Sequence, residues 1–184
     1  MAWIILGILL WTGAHLFKRV LPKQREVLGN KGKALVAILI LLGIGLMFIG
    51  YGDAEYVQLY DLPIWAWYLN NILMLVAIFM MDVGRANGVT RTKIRHPMLL
   101  GVIIWATAQV LGNGDLASLV LFGGLGLWSL LEMSVINRAE GPWQPPARGS
   151  FRGDVKIALA AAVIYAIIVG IHLWLGYAVI AFMR

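Results

Sequence analysis

Six stretches of the chain run almost without charge, and the polar residues gather in short segments between them. The apolar blocks are Met1 to Phe17, Ala34 to Tyr51, Leu62 to Met81, Pro97 to Leu111, Leu116 to Ile136 and Ile157 to Met183. Runs such as Ala34 to Met47 lack the in/out alternation of a barrel strand, so each block predicts a helix that bonds its own backbone. A hydrocarbon core of about 30 Å asks for about 20 helical residues, so the first, second and fourth blocks must recruit flanking residues or lie where the bilayer thins. Gly112-Asn113-Gly114-Asp115 predicts a tight turn between blocks four and five. The first block has no basic residue before it and is followed by Lys18 and Arg19, which predicts a retained span rather than a cleaved signal peptide.

Composition raises this pattern to a fold class. With 61% apolar and 13% charged residues and a mean hydropathy of +0.83, the chain lies outside the range of a soluble domain. The expectation is an all-α integral membrane protein, a single domain over residues 1–184 built as a bundle of six transmembrane helices with short loops. No internal repeat is present.

Charge then orients the bundle, because Lys and Arg are retained on the cytoplasmic side. The first loop region holds Lys18, Arg19, Lys23, Arg25, Lys31 and Lys33, the third Arg85, Arg91, Lys93 and Arg95, and the fifth Arg138, Arg148, Arg152 and Lys156. Only Arg184 falls elsewhere, while the second loop carries Asp53, Glu55 and Asp61. Loops one, three and five are therefore expected in the cytoplasm and both termini outside it. The net charge of +6 is accounted for by topology and contact with anionic lipid, so the partner expected is the bilayer and not nucleic acid.

The absence of Cys excludes disulfides, thiolate nucleophiles, Fe–S clusters and thioether-linked haem. What remains for chemistry is three histidines and one deep carboxylate. His15 lies three residues before Lys18, and His96 precedes Pro97, which suits the first position of a helix. By helical rise both stand near the cytoplasmic surface at a common depth, as a candidate pair of metal or haem ligands. The dipole of the helix that His96 opens, with Arg91, Lys93 and Arg95, favours a neutral imidazole with a free lone pair. Arg91, Arg95 and Arg19 are placed to pair with haem propionates. The same two histidines also read as a helix cap and an interfacial side chain.

Glu132 lies about 24 Å down its helix, close in depth to the two histidines. An acid there calls for a partner: a ligand imidazole, Arg95, or Arg138 reached by snorkelling. His172 lies some 22 Å from the other two, so it does not share their site. Ala158, Ala162, Ala166 and Gly170 form a small-residue stripe expected to pack closely on a neighbour, with His172 turned away from it; Gly43 with Gly45 and Gly123 with Gly124 read the same way. The eight Trp read mainly as interfacial anchors and the eight Met as gap-filling residues.

Gly13-Ala14-His15, Arg95-His96-Pro97-Met98-Leu99-Leu100-Gly101, Trp105-Ala106, Asn113-Gly114-Asp115-Leu116-Ala117-Ser118 and Glu132 together resemble the NnrU family. These are bacterial membrane proteins associated with denitrification, and the plant enzyme 15-cis-zeta-carotene isomerase is similar to them. The resemblance covers nearly the whole chain. It implies haem b held by His15 and His96, a bacterial inner-membrane location and, by extension from the plant branch, redox-gated cis/trans isomerisation of an apolar polyene entering from the membrane. Relatives often carry a further His where this chain has Gln109, a poor iron ligand, so a mechanism that needs that third imidazole is not carried over.

Arg95-His96-Pro97 with Gly101 also resembles the S-adenosylmethionine motif of isoprenylcysteine methyltransferase, with Arg138 and Glu140 standing for its later Arg and Glu pair. The motif Tyr is Leu99 here and the segment after Glu140 is Pro-rich, which leaves methyl transfer as the alternative reading.

Overall fold

The computed structural model describes residues 1–177 of the 184. The expected end of the last span at Met183, with Arg184, lies outside the described residues. Seven α-helices follow one another: α1 (Ala2–Val20), α2 (Pro22–Val27), α3 (Gly29–Gly52), α4 (Ile64–Val83), α5 (Pro97–Asn113), α6 (Leu116–Glu140) and α7 (Phe151–Trp174), with a single 3-10 turn at Thr90–Thr92. Five of them have the length and apolar composition to cross a bilayer, and the 17-residue α5 is the shorter apolar member. The chain is thus an all-α membrane protein.

Local chemistry sets the helix ends. α5 begins on Pro97, where a missing N–H costs nothing, and stops at Gly114, whose φ of 74° is the left-handed conformation that Gly adopts freely. Asp115 then caps α6, its Oδ1 accepting the Ser118 N–H at 2.9 Å. The tight turn expected over Gly112 to Asp115 is shorter than expected: Gly112 and Asn113 belong to α5, and only Gly114 and Asp115 lie between the helices. Several helices outgrow their apolar blocks into charged sequence, α3 reaching back to Gly29 and α6 on to Glu140. The short α2, between Pro22 and Val27, was not expected, since its sequence carries no apolar periodicity.

The helices pack in the order α3, α1, α6, α5, α4, α7, each mainly against its neighbours in that series. Small residues bring the first pair together: a Cβ on Gly50 would lie 2.7 Å from the Ile4 nitrogen, and one on Gly7 would lie 2.6 Å from Met47 Cγ. Gly101 does the same for α5 on α4, where a Cβ would meet Met81 Cγ at 2.8 Å. α6 occupies the middle, taking Ile8 of α1 against Gly124 and accepting α5 through the Ser129 hydroxyl, which donates to the Leu99 carbonyl at 2.8 Å. Of the glycine pairs expected at interfaces, Gly43 and Gly124 face neighbours, whereas a Cβ on Gly45 would meet nothing within 4 Å and one on Gly123 only Leu119 of its own helix.

One packing expectation is reversed. Ala158, Ala162, Ala166 and Gly170 are all exposed, and the buried residues of α7, which packs on α4, are Asp154, Ile157 and Ala161 instead. Asp154 decides this face. Its carboxylate accepts the Val89 and Thr90 N–H groups at 2.9 and 3.2 Å, locking the start of α7 onto the segment between α4 and α5. His172 stays exposed and donates Nδ1–H to the Ile168 carbonyl of its own helix.

The two ends of the bundle differ in charge. The segment from Asp53 to Pro63 and the α5–α6 turn form an acidic end, where the Leu59 and Tyr60 N–H groups donate to the Gly114 carbonyl and Leu116 N–H to Val57. Opposite is a basic end, which gathers every Lys and Arg among the described residues.

Candidate functional site

Trp11, His15 and Arg19 recur every fourth residue and so form one stripe on α1. Gly124, Trp128 and Glu132 form the matching stripe on α6. The two helices run parallel, so the stripes meet level by level: Trp11 and His15 against Trp128, then Arg19 against Glu132. The His15 ring lies 4.2 Å from Trp11 and 4.9 Å from Trp128, centroid to centroid, and the two indoles stand edge to face at 5.2 Å. An aromatic wall therefore fixes the imidazole plane.

A hydrogen bond fixes its tautomer. His15 Nδ1–H donates to the Trp11 carbonyl at 2.9 Å, which leaves the lone pair on Nε2. One turn toward the basic end, Arg19 donates to Glu132 Oε1 at 3.1 Å and to Glu140 Oε1 at 3.2 Å. Arg95 approaches the other oxygen of Glu140 at 4.0 Å. Two guanidinium groups and two carboxylates thus make a neutral network that joins α1, α6 and the segment before α5. Glu132 is only 5% exposed.

Glu132 takes Arg19 as its partner, rather than Arg95, Arg138 or an imidazole. Sequence alone could not choose among these cations, because depth says nothing about which helix lies next to α6. The signal that would have found Arg19 is its four-residue spacing from His15, which places both on one face. Arg95 and Arg91 are engaged otherwise. Arg95 donates to the Gly141 carbonyl at 2.8 Å and Arg91 to Ala147 at 3.2 Å, so both strap the Pro-rich segment between α6 and α7 to the residues before α5.

His96 sits at the N-cap of α5 with no side-chain capping bond. Its Nε2–H donates to Asn137 Oδ1 at 2.8 Å, which leaves Nδ1 as its acceptor nitrogen. Asn137 is nine residues beyond Trp128, about 13 Å along α6 and on its other side. The two imidazoles therefore rest on different faces of the same helix, with His96 nearer the basic end, which corrects the expected common depth: depth counted along separate helices does not fix how those helices are offset or which faces they turn to each other. Gln109 is occupied by Met74 and Asn113, and lies well away from both.

Three buried polar atoms around His15 have no hydrogen-bond partner among the described residues: Trp11 Nε1, Trp128 Nε1 and Glu132 Oε2. Buried polar atoms are normally satisfied, so a cluster of three marks a place where further polar groups are accommodated. No group of three or more His, Cys, Asp or Glu that could hold a bare metal ion occurs among the described residues. The donor set fits a macrocycle that brings its own equatorial ligands and asks only axial imidazoles of the protein. His15 Nε2 meets that need, whereas His96 is bound to Asn137 on the other face of α6.

A family model described as NnrU protein matches residues 3–179, and the chain belongs to that family. Neither a curated protein nor a solved structure matches it.

Proposed function

As an NnrU-family membrane protein, we propose, this chain binds a b-type haem at its basic end, where His15 would hold the iron; His96, on the other face of α6, would not share that iron. The observation that carries the proposal is the His15 imidazole, whose Nδ1–H is spent on Trp11 so that Nε2 is the free acceptor. A ligating histidine needs its other nitrogen held in this way. Trp11 and Trp128 pack against the ring and hold its plane. Arg19 stands one turn away, its charge met by Glu132 and Glu140.

When bound, the haem would supply one-electron chemistry. The reading extends to redox-gated cis/trans isomerisation of an apolar polyene, or to a haem role linked to denitrification, in a bacterial inner membrane with both termini outside the cytoplasm. The protein's own part would be to offer the His15 imidazole, to hold its plane with two indoles and to pair Glu132 with Arg19. The methyltransferase reading gains no support, because Arg95, which it needs for its ligand, is tied to Gly141 and Glu140.

The test is haem content and absorbance of the detergent-purified chain. His15→Ala is expected to lose at least nine tenths of bound haem, and His96→Ala to keep it. Full haem content with an unaltered Soret band in His15→Ala overturns the proposal.

A further inference from the structure

At the acidic end, a cavity of about 310 Å³ opens between the end of α3, the segment after it, α4 and the α5–α6 turn. That volume is at the lower bound of sites for small organic molecules. Three aromatic rings line it, Tyr51, Tyr56 and Trp67, together with the carboxylates of Glu55 and Asp115. No Lys or Arg occurs between Lys33 and Arg85, or between Arg95 and Arg138, so every segment that forms the cavity is free of cations.

Asp115 makes the charge balance unusual. It is 6% exposed, and none of the ion pairs among the described residues includes it. Ser118 satisfies its oxygens, donating N–H to Oδ1 at 2.9 Å and Oγ–H to Oδ2 at 2.6 Å. Those bonds complete its hydrogen-bonding needs, and only the first turn of α6 offsets its charge. Glu55, exposed at the mouth, adds a second negative charge.

We infer that this cavity binds an organic ammonium group, with Tyr51, Tyr56 and Trp67 presenting ring faces and Glu55 and Asp115 supplying the countercharge. A divalent metal fits poorly, because it needs several free oxygen ligands and both oxygens of Asp115 are already engaged. An alkylammonium needs no directed ligand. It is held by ring quadrupoles and diffuse negative charge, which is what the walls offer. The same chemistry is carried by a zwitterionic lipid headgroup and by a free quaternary amine.

The experiment uses the full chain in phosphatidylglycerol nanodiscs, titrated calorimetrically with choline. Saturable binding is expected, weakened about fivefold or more in Glu55→Gln and in Tyr56→Ala, a loss typical of one cation–π or ionic contact. Both side chains are exposed and lie between helices, so the variants keep the bundle. Repetition in phosphatidylcholine discs then separates the sources: choline binding lost there assigns a lipid headgroup, and choline binding retained assigns a free amine. No saturable binding in phosphatidylglycerol, affinities unchanged in both variants, or competitive displacement by magnesium each overturns the inference.

Discussion

The two ends of α6 hold polar clusters that differ in how completely they are satisfied. At the acidic end, Asp115 accepts two bonds from Ser118, and the Ser118 hydroxyl also meets the Tyr51 hydroxyl at 2.8 Å. At the basic end, Glu132 uses one oxygen on Arg19 and leaves the other unpartnered, beside two indoles whose N–H groups are equally unpartnered. A closed cluster fixes the start of a helix, while an open one leaves hydrogen-bonding capacity next to a histidine with a free lone pair. Burial alone does not distinguish them, since Asp115 and Glu132 are 6% and 5% exposed. The inventory of donors and acceptors does.

Stability measurements can break this comparison. Asp115→Ala removes a helix cap and leaves the buried Ser118 N–H without an acceptor and its hydroxyl with Tyr51 alone, so it is expected to cost about 2–3 kcal/mol in detergent unfolding. A cost below about 1 kcal/mol means that the acidic cluster is not the fixed element described here. Gly101→Ala probes the seam between α4 and α5, where its Cβ would press on Met81 and the Ala77 carbonyl. The expected loss is about 1–3 kcal/mol, against no more than about 0.5 kcal/mol for Gly45→Ala, whose Cβ meets open space. Equal effects at the two glycines would contradict the packing order.

Glu132→Gln sharpens the contrast from the other side. Arg19 keeps Glu140 as a partner and its side chain is 25% exposed, so solvent screening holds the expected loss to about 1 kcal/mol or less. The same variant is expected to shift the absorbance of haem-loaded protein while haem content stays near wild type. A large loss of stability with an unshifted spectrum makes Glu132 a structural group, like Asp115.

Hydropathy along the chain determined the helical class, the positions of the spans and the turn before α6, because lipid leaves a backbone no partner but itself. His15, His96 and Glu132 were legible as candidates for the same reason, being rare polar residues in apolar sequence. Which faces meet was decided only in three dimensions. A residue facing lipid and a residue facing another helix are equally apolar, so composition carries no mark of the interface. That is why the small-residue stripe of α7 faces outward while Asp154 sets its packed side, and why Glu132 pairs with Arg19. It is also why His15 and His96, alike in sequence context, lie against different faces of α6.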